Sequence, residues 1–283
     1  MRRLAALVAL SGLALATLFG VGLAGPAQAD DPAYPQLGQP PIGANDWTCR
    51  PSGERPYPAV IVHGTFGDQK SLLDNLSLAL KQDGYCVYSL DYGNRATGPI
   101  AESALQLKRF VGRVLRSTSA KKVEMVGHSQ GGLMPRFYIE NFGGKKRVED
   151  LVGLAPSNHG TTVGSNMGSG SGTGDYCTAC DEQTAGSAFL EELNYPDETP
   201  GPVDYTQVVT EYDEVVVPYT SGFLTPGPRS TNIVLQDRCP VSVTEHVLIP
   251  MDPQAIDWVL EAFGRSGPAR SSAPIGCLGR LNP

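Results

Sequence analysis

The chain has 283 residues, 41% of them hydrophobic and 18% charged, with 33 Gly and 23 Pro, which makes it too apolar for disorder and too turn-rich for a coiled coil. Its net charge of -7, without any Lys/Arg-rich stripe to release counterions from phosphates, argues against a nucleic-acid partner. The length suits one large α/β domain or two small ones, and with only four His and six Cys any histidine-dependent chemistry can be traced by elimination.

The first segment reads as a targeting signal. Met1-Arg2-Arg3 supplies a positive start, Leu4 to Ala24 is an uncharged apolar run, and Ala27-Gln28-Ala29 forms a small-x-small cleavage site before Asp30, the pattern of a secretory signal peptide. The run is long enough to serve as an uncleaved anchor, but Gly20, Gly22, Gly25 and Pro26 would break such a helix near its end and favour cleavage near Ala29. Removing residues 1–29, whose only charges are Arg2 and Arg3, leaves 254 residues with a net charge of -9. The expectation is a soluble, exported, monomeric protein. Export makes thiols oxidisable, and the even set Cys49, Cys86, Cys177, Cys180, Cys239 and Cys277 suggests three disulfides in any of fifteen pairings. Cys177-x-x-Cys180 with His159 as a distant third ligand is the metal alternative, and it lacks a fourth ligand nearby. No metal is expected.

Residues 30–58, rich in Pro, Gly and Asp and without periodicity, read as an extended arm. Ala59-Val60-Ile61-Val62, ending in His63-Gly64, has the β-branched run of a buried strand. Ser71 to Lys81 carries Leu72, Leu73, Leu76 and Leu80 on a helical face closed by Gly84. Residues 86–90 form the next strand and Ile100 to Arg116 the next helix. Lys122 to Val126 is then a strand, Gln130 to Phe142 a helix with a kink expected at Pro135, and Val148 to Leu154 a strand. Strands alternating with helices imply a parallel sheet with right-handed crossovers. The repeat weakens across the insertion 157–202, where Ser165 to Gly174 is a low-complexity Gly/Ser loop. Strands resume at Thr206 to Tyr212 and Asn232 to Gln236, followed by a helix from Pro253 to Phe263. No internal repeat or linker interrupts residues 30–283, so a single α/β domain with a loop-rich insertion is expected.

The chemistry-bearing segment is Gly127-His128-Ser129-Gln130-Gly131, a G-x-S-x-G pentapeptide lying between a strand and a helix, where a sharp turn projects the serine hydroxyl above the strand ends. The following helix adds its N-terminal dipole where negative charge develops. A serine nucleophile near neutral pH needs an adjacent imidazole. His128 cannot swing round to its own neighbour, His63 supports the loop beside it, and His159 has no strand-end carboxylate between it and Ser129. His246, in a long loop after the last strand, is the expected base, with His159 the weaker alternative. Asp213 is the expected acid because it sits where an apolar strand meets a loop. Glu211, inside that strand, and Glu214, pointing the other way, are the alternatives, while Asp237 belongs to the strand leading to the histidine. The order Ser129, Asp213, His246 is the one expected when the serine sits on such a strand–turn–helix elbow. An oxyanion needs two or more donors, here the N–H of Gln130 and the loop His63-Gly64-Thr65-Phe66-Gly67, where Thr65 presents its N–H and hydroxyl.

Taken together, His63-Gly-Thr-Phe-Gly, Gly127-His-Ser-Gln-Gly-Gly, Leu154-Ala-Pro-Ser-Asn-His-Gly-Thr161, Asp213-Glu-Val-Val-Val-Pro and Glu245-His246 resemble a secreted α/β-hydrolase lipase of the bacterial class 2 type. The chain is also similar to the yeast triacylglycerol lipases of the lipase B type, through Gln183-Thr-Ala-Gly-Ser-Ala188 and four of the six cysteines. The resemblance spans roughly residues 47–280. It implies a mostly parallel sheet with helices on both faces, ester hydrolysis through an acyl-enzyme, no organic cofactor, and a water-insoluble ester met at a lipid–water interface. It further implies that Cys49 pairs with Cys86 and Cys239 with Cys277, leaving Cys177 and Cys180 for each other. Some related bacterial lipases hold a structural calcium, for which only Asp252 stands near His246. The CxxC pair and the Gly/Ser run depart from the family pattern. A polyester-degrading or short-chain esterase and an acyltransferase use the same acyl-enzyme and are the enzymatic alternatives. A non-catalytic binding protein on the same scaffold is the alternative from another class.

Overall fold

Short apolar runs place the inner strands, and the complete burial of β1, Ala59–Val62, explains why that run shows no polar alternation. β1 (Ala59–Val62), β2 (Val87–Ser89), β3 (Val123–His128), β4 (Val148–Leu154), β5 (Asp204–Val209) and β6 (Ser230–Val234) form one sheet in the order β2-β1-β3-β4-β5-β6, every neighbouring pair parallel. Parallel strands covered on both faces read as continuous apolar runs, and all four residues of β1 are fully buried. The computed structural model describes residues 38–163 and 176–279. The expected signal segment 1–29, the start of the arm and the Gly/Ser run Ser165–Gly174 lie outside the described residues.

The helices are α1 (Asp74–Gln82), the short turn α2 (Gly93–Ala96), α3 (Ile100–Thr118), α4 (Gln130–Asn141), α5 (Thr178–Glu182), α6 (Ala188–Asn194), the turn α7 (Leu235–Arg238) and α8 (Pro253–Phe263). Two core clusters lie on opposite faces of the sheet. Val60 and Val62 pack with Leu107 and Val111 of α3 and Leu133 and Ile139 of α4. Ala59 and Ile61 pack with Leu76 and Leu80 of α1 and Trp258 and Val259 of α8. The period-2 alternation within β1 therefore divides one strand between two cores. Each fully buried aliphatic side chain contributes about 1.5–3 kcal/mol before chain entropy is charged against it.

Several element ends differ from the sequence expectation, two of them through a side chain that competes with regular structure. The first helix starts at Asp74 rather than Ser71, because the Asp68 carboxylate accepts the N–H groups of Lys70 and Ser71 and holds a turn there. β5 stops at Val209, since the Thr210 hydroxyl donates to the Thr244 carbonyl and accepts the Tyr212 N–H. Glu211 thus lies past the strand, not within it. β6 runs from Ser230 to Val234 and turns directly into α7, so Asp237 is in a helical turn, not at a strand end. α4 continues through Pro135, which lacks the N–H to bond the Gly131 carbonyl four residues back. The described part of the arm lies on the outer edge of β2: Ala44 bridges Val87, Asn45 donates its N–H to the Val87 carbonyl, and its side chain bonds Ser89. That contact covers an otherwise open strand edge.

The strand order has a functional consequence. The chain leaves β1 to build β2 on one side, then returns past β1 to lay down β3 on the other. The loops leaving β1 and β3 therefore start side by side at the carboxyl ends of the strands, the general position for sites in such sheets.

Candidate active site

Ser129 sits between β3 and α4 with φ 56° and ψ -125°, a left-handed backbone that costs a non-glycine residue about 1–3 kcal/mol. The surroundings fix it. Its N–H donates to the Leu154 carbonyl at 2.9 Å, and its own carbonyl accepts the Gly132 N–H at 2.8 Å. The flanking glycines are sterically required: a Cβ on Gly127 would lie 1.8 Å from the Gly131 carbonyl oxygen, and one on Gly131 would lie 2.4 Å from the Val62 carbonyl oxygen. These contacts press the turn against the end of β1. The serine is 7% exposed at the N-terminus of a twelve-residue helix, where the dipole favours negative charge.

Asp213 and His246 meet although they lie 33 residues apart. His246 Nδ1 is 2.9 Å from Asp213 Oδ2, and both side chains are buried. Asp213 Oδ1 accepts the N–H groups of Val215 at 3.0 Å and Val216 at 2.7 Å, so the carboxylate is held on both oxygens and accepts a hydrogen bond from the ring N–H. That fixes the tautomer with Nδ1 protonated and leaves Nε2 with a free lone pair. Glu214, expected to point away, instead accepts the His246 backbone N–H at 3.4 Å. The bridge between Tyr212 and Glu245 and the Thr210–Thr244 bond join the two loops.

The other three histidines have separate places. His128 Nε2 donates to the His246 carbonyl at 2.8 Å, and the two rings lie 4.9 Å apart. This bond ties the residue next to Ser129 directly to the histidine loop. Burial, reinforced by His246, pushes the His128 pKa down to about 3, so it is a neutral donor. His63 Nδ1 donates to the Gly64 carbonyl at 2.8 Å, its ring stacks on Tyr92 with centroids 4.4 Å apart, and burial lowers its pKa. It shapes the loop after β1. His159 Nε2 is 2.9 Å from Glu198 Oε1. The Glu198 hydrogen bond raises the pKa of His159, and the same bond brings Glu198 down to about 2.

The loop after β1 brings Thr65 against the serine turn. Gln130 Nε2 donates to Thr65 Oγ1 at 3.0 Å and to the Ala96 carbonyl at 2.8 Å. Gln183 Nε2 donates to the same Thr65 oxygen at 3.2 Å and to the Ala179 carbonyl at 2.9 Å. Ala96 belongs to α2, where Asn94, Arg95 and Ala96 all have positive φ. That strained turn is clamped by the Phe66 N–H, which donates to the Arg95 carbonyl, and by the Arg95 guanidinium, which donates back to the Phe66 carbonyl. No sequence motif assigns Gln183 a part in the chemistry. Its only signal was membership of the segment Gln183–Ala188 shared with the lipase B type.

The disulfides enclose these loops. Cys49 pairs with Cys86, Cys177 with Cys180 and Cys239 with Cys277, and within the described residues no cysteine is free. Cys177 and Cys180 are thus bonded to each other, not arranged with His159 around a metal. Asp252 caps α8, accepting the Ala255 N–H at 2.9 Å and the Thr244 hydroxyl at 2.5 Å.

Comparison with known proteins bears on the family and the fold. Residues 56–256 match the model of the family described as Lipase (class 2). A triacylglycerol lipase of Vibrio cholerae is 38% identical over 119 residues, covering 36% of this chain and 38% of that protein. Across the three curated relatives compared, the aligned segment spans between 24% and 38% of their lengths. Lipase B of Aspergillus fumigatus superimposes with a TM-score of 0.68 at 17% identity, over 83% of this chain and 57% of that one. The mature Bacillus licheniformis lipase BlEst2 gives 0.55 at 16% identity, over 70% and 91%. At such identities the likeness speaks for the fold, which is that of the α/β-hydrolases.

Proposed function

The chain belongs to the class 2 lipase family, and from that premise we propose that it is a carboxylic ester hydrolase, a triacylglycerol lipase, working through an acyl-enzyme on Ser129. His246 Nε2 takes the serine proton as Oγ attacks the ester carbonyl, and returns it to the leaving alcohol. Asp213 holds the ring tautomer and stabilises the imidazolium without taking the proton itself. The Gln130 N–H and the Thr65 N–H and hydroxyl receive the oxyanion, where one well-placed donor is worth about 3–4 kcal/mol. Water then attacks the acyl-enzyme, with His246 again as base.

The observation that carries this reading is the strained backbone of Ser129 on a strand-to-helix turn, joined through the His128–His246 bond to a histidine already committed to a carboxylate. The preference for a water-insoluble ester is supported by the surroundings of His246. Val241 is 79% exposed and Val243 72% exposed, with Tyr212, Val247 and Leu248 also open to solvent on the two loops that carry Asp213 and His246. An apolar rim of this kind suits contact with a lipid surface. Residues 30–283 form one catalytic domain that is exported after cleavage near Ala29, a reading supported by the disulfides. Oxidised cysteines fit an extracellular product.

Ser129→Ala is expected to lower hydrolysis of emulsified triacylglycerol by about four orders of magnitude or more, with an unchanged circular dichroism spectrum, and to abolish labelling by a fluorophosphonate probe. Undiminished turnover by the purified variant would overturn the assignment of the nucleophile. A faster rate on soluble short-chain esters or polyester film than on emulsified triacylglycerol would move the substrate to the esterase reading.

A further inference from the structure

Thr65 carries the one side-chain hydroxyl in the proposed oxyanion loop, and a hydroxyl can send its single hydrogen in only one direction. Two amides settle which. The Gln130 amide has to present nitrogen to Thr65, because its Nε2 also serves the Ala96 carbonyl. Turning it over would set its oxygen against that carbonyl. The Gln183 amide is fixed in the same sense by the Ala179 carbonyl on one side and by the Ser157 hydroxyl, which donates to Gln183 Oε1 at 2.8 Å, on the other. Both glutamines are buried. The Thr65 oxygen therefore accepts two hydrogen bonds, one for each lone pair, and neither amide can accept the Thr65 hydrogen. The hydrogen has to leave in the remaining tetrahedral direction.

We propose that Gln183 is a positioning residue for catalysis: with Gln130 it fills the acceptor capacity of Thr65 and thereby commits the Thr65 hydroxyl to donating towards the oxyanion. The inference rests on the acyl-enzyme reading above and adds a residue from the insertion to it. Gln183 lies just beyond α5, the turn closed by Cys177–Cys180, and its partner Ser157 lies just beyond β4. The insertion thus pre-orients a donor belonging to a loop more than a hundred residues earlier. A pre-oriented donor needs no reorganisation at the moment charge develops, whereas a hydroxyl free to rotate spends part of its time pointing elsewhere.

The test is a double-mutant cycle on a soluble short-chain ester, measuring kcat and KM separately. Gln183→Met keeps the side-chain volume and removes the amide, and Thr65→Val removes the hydroxyl at nearly constant shape. Gln183→Met is expected to lower kcat by about tenfold, within the ~10²–10³-fold ceiling set by loss of a whole donor, with KM changed less than twofold. In the Thr65→Val background the same substitution is expected to change kcat less than twofold, because no hydroxyl is left to orient. An equal loss in both backgrounds, or no loss in either, would overturn the inference. Should Gln183→Met fail to fold, Gln183→Glu replaces it. The new carboxylate accepts the Thr65 hydrogen, so the loss of kcat is expected to exceed tenfold and again to disappear without the hydroxyl. Its persistence there would count against the idea. Ser129→Ala run in parallel separates the two levels. If that variant is inactive while the cycle shows no coupling, only the role of Gln183 falls. If it retains turnover, the acyl-enzyme reading itself falls.

Discussion

A buried histidine that does no acid–base work is placed beside one proposed to do it, and the difference lies in what each ring touches. His246 faces a carboxylate, while His128 faces a backbone carbonyl and a second imidazole. Burial therefore holds His128 neutral, and its folded pKa lies below the ordinary value. The unfolded chain then binds the extra proton first, so stability is complete above about pH 6.5 and falls as the pH drops below it. His128→Gln keeps a donor that cannot titrate, and its stability by chemical denaturation is expected to fall less between pH 7 and pH 4.5 than that of the parent. Parallel losses would contradict the assignment. His128→Leu leaves the His246 carbonyl unpaired, at a cost of about 1–3 kcal/mol at pH 7. At this scale Ser129, Gly127 and Gly131 were legible in the sequence because a short motif carries its own steric reason. The neutral donor role of His128 was not, since it depends on a carbonyl 118 residues away. The same holds for Gln183, whose partners come from three separate segments.

The elements were legible where apolar periodicity fills them and illegible at their ends. β1, β4 and α8 fall where the sequence places them, whereas β5 and β6 stop early because Thr210 and the α7 turn offer the backbone other partners. The start of α8 shows how such an end can serve the site. Pro253 at the first helical position and Asp252 as cap are an ordinary helix beginning, yet the second Asp252 oxygen holds the Thr244 hydroxyl, two residues before His246. Asp252→Ala is expected to cost about 1 kcal/mol, the usual worth of a cap, read by denaturant unfolding. Asp252→Asn, which retains an acceptor for the Ala255 N–H, should recover most of it. If the alanine variant is as stable as the parent, the cap contributes nothing here.

Across the whole molecule the sheet separates two electrostatic regimes. Its carboxyl end carries the proposed site. Towards the other end Glu124 and Asp150 are buried side by side on β3 and β4, where the strand register shifts and the Asp150 N–H donates to Glu124. Asp204 lies close by, paired with Arg229, and Glu149 pairs with Lys122 at the surface. Desolvation raises the pKa of both buried carboxyls; the Glu124 charge raises that of Asp150 further, while hydrogen bonds from Asp150 offset part of the rise at Glu124. The folded state therefore holds protons that the unfolded chain gives up near pH 4, and stability declines as pH rises from there through neutrality into the alkaline range. The double variant Glu124→Gln/Asp150→Asn is expected to flatten the dependence of Tm on pH between 6 and 9. Curves that stay parallel would show that the pair does not titrate in that interval. None of this was visible in the sequence, where Glu124 and the Glu149-Asp150 pair sit in two separate apolar runs.

The two long-range disulfides give the molecule a covalent topology of closed rings. The bond between Cys49 and Cys86 closes one ring around Thr65, and the bond between Cys239 and Cys277 closes another around His246. The exposed valines at 241 and 243 lie inside the second ring. A single protease cut beside them therefore yields two segments that stay bonded to each other and separate only on reduction, with α8 and its core contacts holding the cut ends near the sheet.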